Sequence, residues 1–381
     1  MRPFLAVLAV GLSVALPAGV PEGSIEDFVD TEMPASRVPG LAYAVVADGE
    51  ITEVGAHGVV EIGDDREVTL DTPFVTGSIS KSFTALAVMQ LVEAGEVDLD
   101  TGISTYLDGF SGEPAGAITV RQLLSHTSGF STLQGNTSHA DDTGGKDELE
   151  LRVDGIAEVN PAYTPGERWE YSNTNYGILG RLIEVVSGQD YQGYVAANIL
   201  EPVGMQHSFV ADGEIHESMA TGHRPWFGTK RPLRQNATHR GTAPQGGIVA
   251  SAHDLALYMQ MMMNGEDDVL SAEGKALMMR PASSASPSYG FGWFVNTANR
   301  TVWHDGSTPG FETLATMVVA EKRAVVILVN GGSGLGIGET AQLRNGIAAR
   351  ALDLENEGEG SRWSLTALFF GMVLLPIIYK N

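Results

Sequence analysis

The sequence predicts an α+β fold in which strands from the N-terminal and C-terminal parts of the body share one antiparallel sheet. Three observations lead to this prediction. Strand patterns lie at both ends of the body, helical patterns lie between them, and turn residues separate the C-terminal strands from one another. This order suits an antiparallel sheet closed by its first and last strands, with flanking helices and an inserted helical lobe.

The first elements of the body are a predicted hairpin and a predicted helix. In residues 40–60, "GLAYAVVADGEITEVGAHGVV", two apolar runs flank an "ADGE" turn, which is typical of a β-hairpin. The apolar spacing of residues 80–94 then predicts a helix. Two further helices are predicted at 175–188 and at 251–265, the second with Ser251 as its N-cap. We interpret the methionines of this last helix as core residues rather than ligands.

The C-terminal third changes from helical to strand patterns. Its four strand candidates and its closing helix are "YGFGWFV" (289–295), "TVWHDG" (301–306), "TLATMVVA" (313–320), "RAVVILVN" (323–330) and "IGETAQLRNGIAARALDL" (337–354). These strands complete the predicted sheet.

Composition excludes several classes of function. The chain has 381 residues, is 43% hydrophobic and 18% charged, and carries a formal net charge of −24, so it is globular and lacks the basic footprint that nucleic-acid binding needs. It has no cysteine, which excludes disulfides, thiolate catalysis and Cys-ligated zinc. The nine histidines show no metal-ligand spacing, so we expect neither a metal nor a cofactor.

The two ends of the chain predict export and membrane attachment. Residues 1–18 have the pattern of a secretory signal peptide, with an N-terminal membrane anchor as the alternative. The predicted body spans 22–353, and 354–362 form a polar linker. Residues 363–379 then form an uncharged apolar run, which predicts a single membrane helix that leaves the body outside the cytoplasm. A helix packed on the body is the alternative for this run.

The stretch "GSISKSF" places a serine and a lysine at the predicted start of the helix at 80–94. Lys81 follows Ser78 by three positions, so their side chains lie on one face of a helical turn. A serine hydroxyl needs a base within hydrogen-bond reach to act as a nucleophile, and a partly buried lysine can be that base near pH 7. S-x-x-K is frequent, however, so a capping serine beside a solvated lysine is the alternative.

Two later stretches favour catalysis. "YSN" at 171–173 precedes a predicted helix, and "HDG" at 304–306 belongs to a predicted strand. With S-x-x-K at 78–81, the sequence resembles the class C serine β-lactamases and their relatives, the serine DD-peptidases and esterases, whose motifs are S-x-x-K, Y-x-N and [KH]-x-G in that order. "LLSHTSGF" (123–130) and "GGIVASAHDLA" (246–256) are also similar to the family, and the resemblance covers nearly all of 22–350.

The resemblance implies a β-lactamase/transpeptidase-like fold and an acyl-enzyme mechanism. Ser78 would be the acylated nucleophile, and Lys81 with Tyr171 would form the proton-relay pair. Asn173 would hydrogen-bond Lys81 and the substrate. No cofactor is implied, and the substrate would be a small molecule or a peptide.

The resemblance also assigns the residues that bind the substrate. His304 would stand on the strand beside the site, in the motif that Gly306 completes. The backbone N–H groups of Ser78 and Ser307 would form the oxyanion hole. Gln134, in the "TLQG" that follows "HTSGF", would contact the substrate.

The third motif departs from the family pattern, because "HDG" stands where β-lactamases commonly have "KTG". His304 can be neutral at pH 7, and Asp305 adds a negative charge. We therefore predict a hydrolase of esters, amides or D-amino-acid peptides rather than a strong β-lactamase. A β-lactamase proper and a catalytically quiet binder of cell-wall peptides remain the alternatives.

Two other readings are disfavoured by the sequence. No G-x-S-x-G nucleophile elbow occurs, which argues against an α/β-hydrolase. Gly336 and Gly338 follow a predicted strand, but no βαβ unit with an acidic ribose partner surrounds them, so dinucleotide binding is disfavoured.

Overall fold

The computed structural model describes residues 23–354, apart from 113, 138–144, 146, 227–228, 234–238 and 333–339. The strands in this part of the chain are β1 (Gly40–Ala47), β2 (Glu50–Gly58), β3 (Phe74–Val75), β4 (Phe209–Val210), β5 (His223–Trp226), β6 (Thr229–Pro232), β7 (Ile248–Ala250), β8 (Phe294–Asn296), β9 (Thr301–Thr308), β10 (Phe311–Val318) and β11 (Arg323–Val329).

The α-helices in the same part of the chain are α1 (Ile25–Ser36), α2 (Ser80–Glu93), α3 (Val120–Leu124), α4 (Thr132–Thr137), α5 (Glu148–Ala157), α6 (Asn173–Ser187), α7 (Tyr191–Val195), α8 (Glu201–Val203), α9 (Ala243–Gly246), α10 (Ala252–Met263), α11 (Ala272–Met278) and α12 (Ala341–Leu352).

The main sheet joins the two ends of the body. Its six strands run in the order β2-β1-β11-β10-β9-β8, and β1 pairs antiparallel with β11 from Leu41↔Val329 to Val46↔Ala324. The predicted closure of the sheet by its first and last long strands is therefore confirmed. β8 pairs only with the first residues of β9. Among the described residues, 304–308 thus have a strand partner on one side only, which is β10.

Both faces of the sheet are covered, which explains why β11 is almost entirely apolar. Val326 and Leu328 point into the larger core, which the helical lobe completes. Ile327 and Val329 point to the opposite face, where α1 and α12 pack. The alternation of the strand therefore serves two cores, one on each face.

The helical lobe is built around α2, whose residues from Ser80 to Met89 are all buried. α6 and α9 pack against it. The predicted helices at 80–94, 175–188 and 251–265 are confirmed as α2, α6 and α10. Ser251 accepts a hydrogen bond from the Asp254 N–H at 3.1 Å as the predicted N-cap, and the methionines at 259 and 261–263 are buried in the core.

The prediction of a strand over 289–295 is wrong in most of its length, because regular pairing begins only at Phe294. Gly292 has φ +76°, and a Cβ there would lie 2.8 Å from the Lys81 carbonyl oxygen. Gly290 would place a Cβ 2.1 Å from the Met278 carbonyl oxygen. The two glycines serve close backbone contacts with helices rather than a ladder.

Among the helices of the described residues, none combines the length and the apolar character needed to cross a membrane. The predicted signal peptide at 1–18 and the predicted membrane helix at 363–379 lie outside the described residues. Gly336 and Gly338 of the disfavoured dinucleotide pattern also lie outside them.

Candidate active site

Ser78 lies in a 3-10 turn, Gly77–Ile79, directly before α2. Thr76 anchors this turn: its N–H and its hydroxyl both donate to the Ile248 carbonyl of β7, each at 2.9 Å. Its own carbonyl accepts a hydrogen bond from the Thr313 hydroxyl at 2.7 Å. The turn is therefore fixed between β7 and β10, with Ser78 half-exposed among buried neighbours.

The hydroxyl of Ser78 contacts the side chains of the two other predicted catalytic residues, Lys81 and Tyr171. Nζ of Lys81 lies 3.0 Å from Oγ of Ser78, and the Tyr171 hydroxyl donates to the same Oγ at 2.8 Å. Nζ of Lys81 also donates to the Gln245 carbonyl at 2.7 Å and stands 4.9 Å from the centre of the Tyr171 ring. The structure thus brings together three residues that are up to 93 positions apart in the chain.

Burial sets the protonation states of the two groups that flank Ser78. Burial lowers the pKa of Lys81 well below its ordinary value, against a smaller opposing effect from the Asp305 carboxylate. Burial raises the pKa of Tyr171 well above its ordinary value, although its hydrogen bond to Ser78 opposes this. Burial therefore favours the neutral amine of Lys81, which can accept a proton, and the protonated phenol of Tyr171.

Gly306 lets β9 lie directly against the Ser78 turn. A Cβ on Gly306 would lie 1.9 Å from the Thr76 carbonyl oxygen, and a Cβ on Gly77, which has φ +57°, would lie 3.0 Å from the backbone nitrogen of Ser307. Both positions therefore require glycine. This contact sets the backbone of Ser307 beside the Ser78 turn, as the predicted oxyanion hole needs.

His304 is buried next to the site, and its ring is neutral. Nδ1 contacts the Asp305 carbonyl at 2.6 Å. Because a carbonyl only accepts, Nδ1 carries the proton and Nε2 accepts from the Tyr289 hydroxyl at 3.2 Å. Burial, aided by the charge of Lys81, lowers the pKa of His304 to about 3. The ring therefore has no positive charge to offer a substrate carboxylate at neutral pH.

The other face of β9 carries Asp305 and Ser307 towards α12. The hydroxyl of Ser307 donates to Glu312 at 3.3 Å, and Arg344 of α12 pairs with Glu312 at 3.0 Å in a buried ion pair. The side chain of Asp305 is 34% exposed, and partial burial raises its pKa while Arg344 opposes that rise.

His126 is a residue of the site that sequence reasoning did not single out. It is buried at φ +58°, and its ring lies 4.4 Å from the ring of Tyr171. Nδ1 accepts from the Ser172 N–H at 3.2 Å and from the Asn175 amide at 3.0 Å, and its carbonyl accepts from the Glu170 N–H at 2.9 Å. His126 therefore holds the chain on both sides of Tyr171. Its only sequence signal was the stretch "LLSHTSGF".

Asn173 and Gln134, the two other side chains predicted to bind the substrate, lie in α6 and α4. Asn173 is buried at the first position of α6, two residues after Tyr171, and its predicted bond to Lys81 stays a prediction. Oε1 of Gln134 accepts from the Ser131 N–H at 2.8 Å, and its amide donates to the Asn160 carbonyl at 2.8 Å. These bonds hold Gln134 in the local backbone, and substrate contact stays a prediction.

One group of possible metal ligands occurs among the described residues, away from Ser78. Glu26, Asp30 and His57 have donor atoms within 4.8 Å of one another. They lie on α1 and β2, and β2 is at the edge of the sheet away from β9. The two carboxylates are exposed, and exposed acidic groups need no metal to be stable in water.

Comparisons with known proteins agree with this geometry. A family model described as Beta-lactamase matches residues 25–349. The chain is 32% identical over 323 residues to "Penicillin-binding protein 4" of Amycolatopsis lactamdurans, covering 78% of this chain and 82% of the relative.

Solved structures share the fold. An octameric penicillin-binding protein homologue from Pyrococcus abyssi superimposes with a TM-score of 0.76 at 28% identity, covering 87% of this chain and 76% of the homologue. A class C β-lactamase gives a TM-score of 0.71 at 21% identity, covering 89% of this chain and 96% of that protein. The predicted family resemblance and the predicted fold class are therefore confirmed.

Proposed function

The chain belongs to the β-lactamase family of serine hydrolases. We propose that it hydrolyses esters, amides or D-amino-acid peptides through an acyl-enzyme on Ser78. The observation that carries the proposal is the double contact of the Ser78 hydroxyl with Lys81 at 3.0 Å and Tyr171 at 2.8 Å. A nucleophile, a base and a proton donor in mutual reach are what acyl transfer requires.

Acylation follows from these contacts. Oγ of Ser78 attacks the substrate carbonyl carbon while Nζ of Lys81 takes the hydroxyl proton. The resulting oxyanion is stabilised by the backbone N–H groups of Ser78 and Ser307. As the carbonyl re-forms, the bond to the leaving group breaks, and the Tyr171 hydroxyl gives that group a proton. The proton held by Lys81 then restores the phenol.

Deacylation uses the same groups in the reverse sense. A water molecule attacks the acyl carbonyl, the Lys81–Tyr171 pair takes its proton, and Oγ of Ser78 leaves and is reprotonated. Positioned proton transfer accelerates such a reaction by a factor of about 10²–10⁴, and each oxyanion donor adds a factor of about 10²–10³. No metal or cofactor is needed for these steps.

The proposed preference for esters and neutral amides over β-lactams rests on the third motif. A β-lactam carries a carboxylate, and a family member with "KTG" meets it with a lysine. Here the corresponding ring is His304, which is buried and has a pKa of about 3. The next residue, Asp305, adds negative charge beside it. A carboxylate at this place therefore gains no counter-charge.

We further propose that the catalytic domain acts outside the cytoplasm, exported by residues 1–18 and attached to the membrane by residues 363–379. The support is the apolar pattern of the two ends. Expression of the full chain followed by a carbonate wash of the membranes checks the anchor. Retention in the membrane pellet is expected, and release by the wash would contradict it.

An activity panel tests the hydrolase proposal. p-Nitrophenyl esters, D-alanyl peptides and nitrocefin are assayed with the wild type and with Ser78→Ala. We expect turnover of an ester or of a C-terminally amidated D-alanyl peptide, which has no carboxylate at this place, and we expect Ser78→Ala to abolish it. The kcat/KM for nitrocefin should be much smaller. Turnover of nitrocefin as fast as the best ester would contradict the proposed preference.

A further inference from the structure

The β5–β6 hairpin lies in the most basic part of an acidic protein. Residues 218–253 contain no aspartate or glutamate, although the chain has 47 of them. The same 36 positions hold five of the 23 lysines and arginines, namely Arg224, Lys230, Arg231, Arg234 and Arg240. Positive charge is therefore concentrated in this part of the sequence, and at physiological salt it acts over about 8 Å. Glu61 is a carboxylate at the base of the hairpin, where it accepts a hydrogen bond from the Thr221 hydroxyl at 2.8 Å.

Two arginines and a tryptophan form one exposed face of this hairpin. Arg224 and Arg231 are register partners on the two strands, and both are exposed. Their guanidinium carbons lie 5.7 and 4.7 Å from the ring centre of Trp226, which is 37% exposed. We call these three residues the Arg–Trp face.

The charges of the Arg–Trp face are not neutralised within the described part of the chain. No carboxylate there forms an ion pair with Arg224 or Arg231, whereas most other described arginines pair with one, as Arg121 does with Asp100 at 2.7 Å. Like charges directly opposite each other on paired strands are unfavourable, and contact with an aromatic ring offsets this only in part. An anion between the two guanidinium groups would remove the repulsion.

The hairpin is fixed to the turn that follows β9, the strand that carries Ser307. The His223 N–H donates to the Gly310 carbonyl at 3.2 Å and to the Asn330 carbonyl at 3.1 Å. Nζ of Lys230, which is buried, donates to the Gly332 carbonyl at 2.9 Å. Gly310 is three positions after Ser307, so the two residues lie at most about 10 Å apart, and the base of the hairpin is near the proposed oxyanion hole.

We propose that the Arg–Trp face is a docking surface for an anionic glycan. A guanidinium fork matches a carboxylate, so Arg224 and Arg231 can hold one acidic group between them. Trp226 keeps an exposed part of its ring beside the two guanidinium groups, and this apolar surface can contact the C–H face of a sugar ring. A single exposed aromatic residue is too little for insertion into a bilayer. Docking here would raise the local concentration of glycan-linked substrate at Ser78, which goes beyond the proposed hydrolysis.

Calorimetric titration of the full chain in detergent tests this proposal, with hexagalacturonate as the probe. We expect the wild type to bind it, and Arg224→Ser with Arg231→Ser to weaken binding at least tenfold. Trp226→Ala is expected to weaken binding severalfold. Arg280→Ser removes an exposed arginine elsewhere and should leave the affinity unchanged. Turnover of a p-nitrophenyl ester by the double variant should equal that of the wild type, which separates docking from the proposed chemistry at Ser78.

Four results would overturn the proposal. The first is no binding of hexagalacturonate by the wild type at millimolar concentration, and the second is equal binding by the double variant. The third is equal affinity for neutral maltohexaose, which would remove the role of charge. The fourth is equal or tighter binding of hexa-aspartate or of anionic vesicles, which would assign the face to an acidic peptide or to a membrane.

Discussion

Replacing His126 by phenylalanine should separate the positioning of Tyr171 from its chemistry. Phenylalanine keeps a ring of similar size beside Tyr171 but cannot accept the hydrogen bonds that Nδ1 receives from Ser172 and Asn175. Each buried donor left unpaired costs about 1–3 kcal/mol, so the free energy of unfolding should fall by about 2–6 kcal/mol. A domain stable by about 5–15 kcal/mol generally survives such a loss.

The activity of His126→Phe should fall because the backbone on the C-terminal side of Tyr171 is released. A displacement of about 1 Å in a catalytic group can cost about 100-fold in rate. We therefore expect kcat for a p-nitrophenyl ester to fall about 10–100-fold with KM little changed, since His126 does not touch the substrate. His126→Asn should restore much of kcat, because asparagine tolerates positive φ and offers an acceptor oxygen.

Leu91→Ala serves as the matched control for lost stability. Leu91 is buried in α2, ten residues beyond Lys81 and therefore about 15 Å along the helix, and its truncation costs about 2–5 kcal/mol. Thermal melts place both variants on one stability scale, and kcat is measured well below both midpoints. If His126→Phe loses stability but keeps kcat, as Leu91→Ala should, the positioning role of His126 is refuted.

Three further outcomes follow from the same geometry. The kcat/KM should rise with pH as Lys81 loses its proton. Asp305→Asn should move this rise to lower pH, because the Asp305 carboxylate raises the pKa of Lys81. An unmoved pH profile of kcat/KM would contradict this effect of Asp305 on Lys81. Gly306→Ala would place a Cβ 1.9 Å from the Thr76 carbonyl oxygen and so push β9 away from the Ser78 turn. We expect kcat to fall by at least about 100-fold, which is the effect of losing one oxyanion donor. Steady-state kinetics on a variant with a normal circular dichroism spectrum checks this. His304→Lys with Asp305→Thr should raise the ratio of nitrocefin to ester turnover roughly tenfold or more, since a buried ion pair to the carboxylate is then possible; an unchanged ratio would show that this motif does not set specificity.

The sheet, and the three residues proposed to be catalytic, could be predicted because their signals are local or ordered along the chain. The strand patterns near 40–58 and 301–329 each follow from alternation or continuous apolar runs, and closure by β1 and β11 follows from their order. Ser78 and Lys81 share one helical turn, so their contact depends on spacing alone. Tyr171 became identifiable only through the family motif, because its contact with Ser78 spans 93 residues.

The rest of the site depends on tertiary contacts that no local pattern encodes. His126 acts through the backbone of Glu170 and Ser172, and the direction of its Nδ1 is decided by packing. The buried Glu312–Arg344 pair joins β10 to α12, and neither residue belongs to a recognisable motif. The glycines at 290 and 292 interrupt a strand-like pattern because neighbouring backbone leaves no space for a Cβ.

Covalent labelling of Ser78 tests the central claim most directly. The wild type and Ser78→Ala are incubated with a fluorophosphonate and measured by intact-mass spectrometry, and the adduct is located by peptide mapping. The geometry at Ser78, with Lys81 at 3.0 Å and Tyr171 at 2.8 Å, predicts a single adduct on Ser78 of the wild type and none on a folded Ser78→Ala variant. A wild type that stays unlabelled, or a variant that still gains one adduct, would contradict the assignment of Ser78 as the nucleophile.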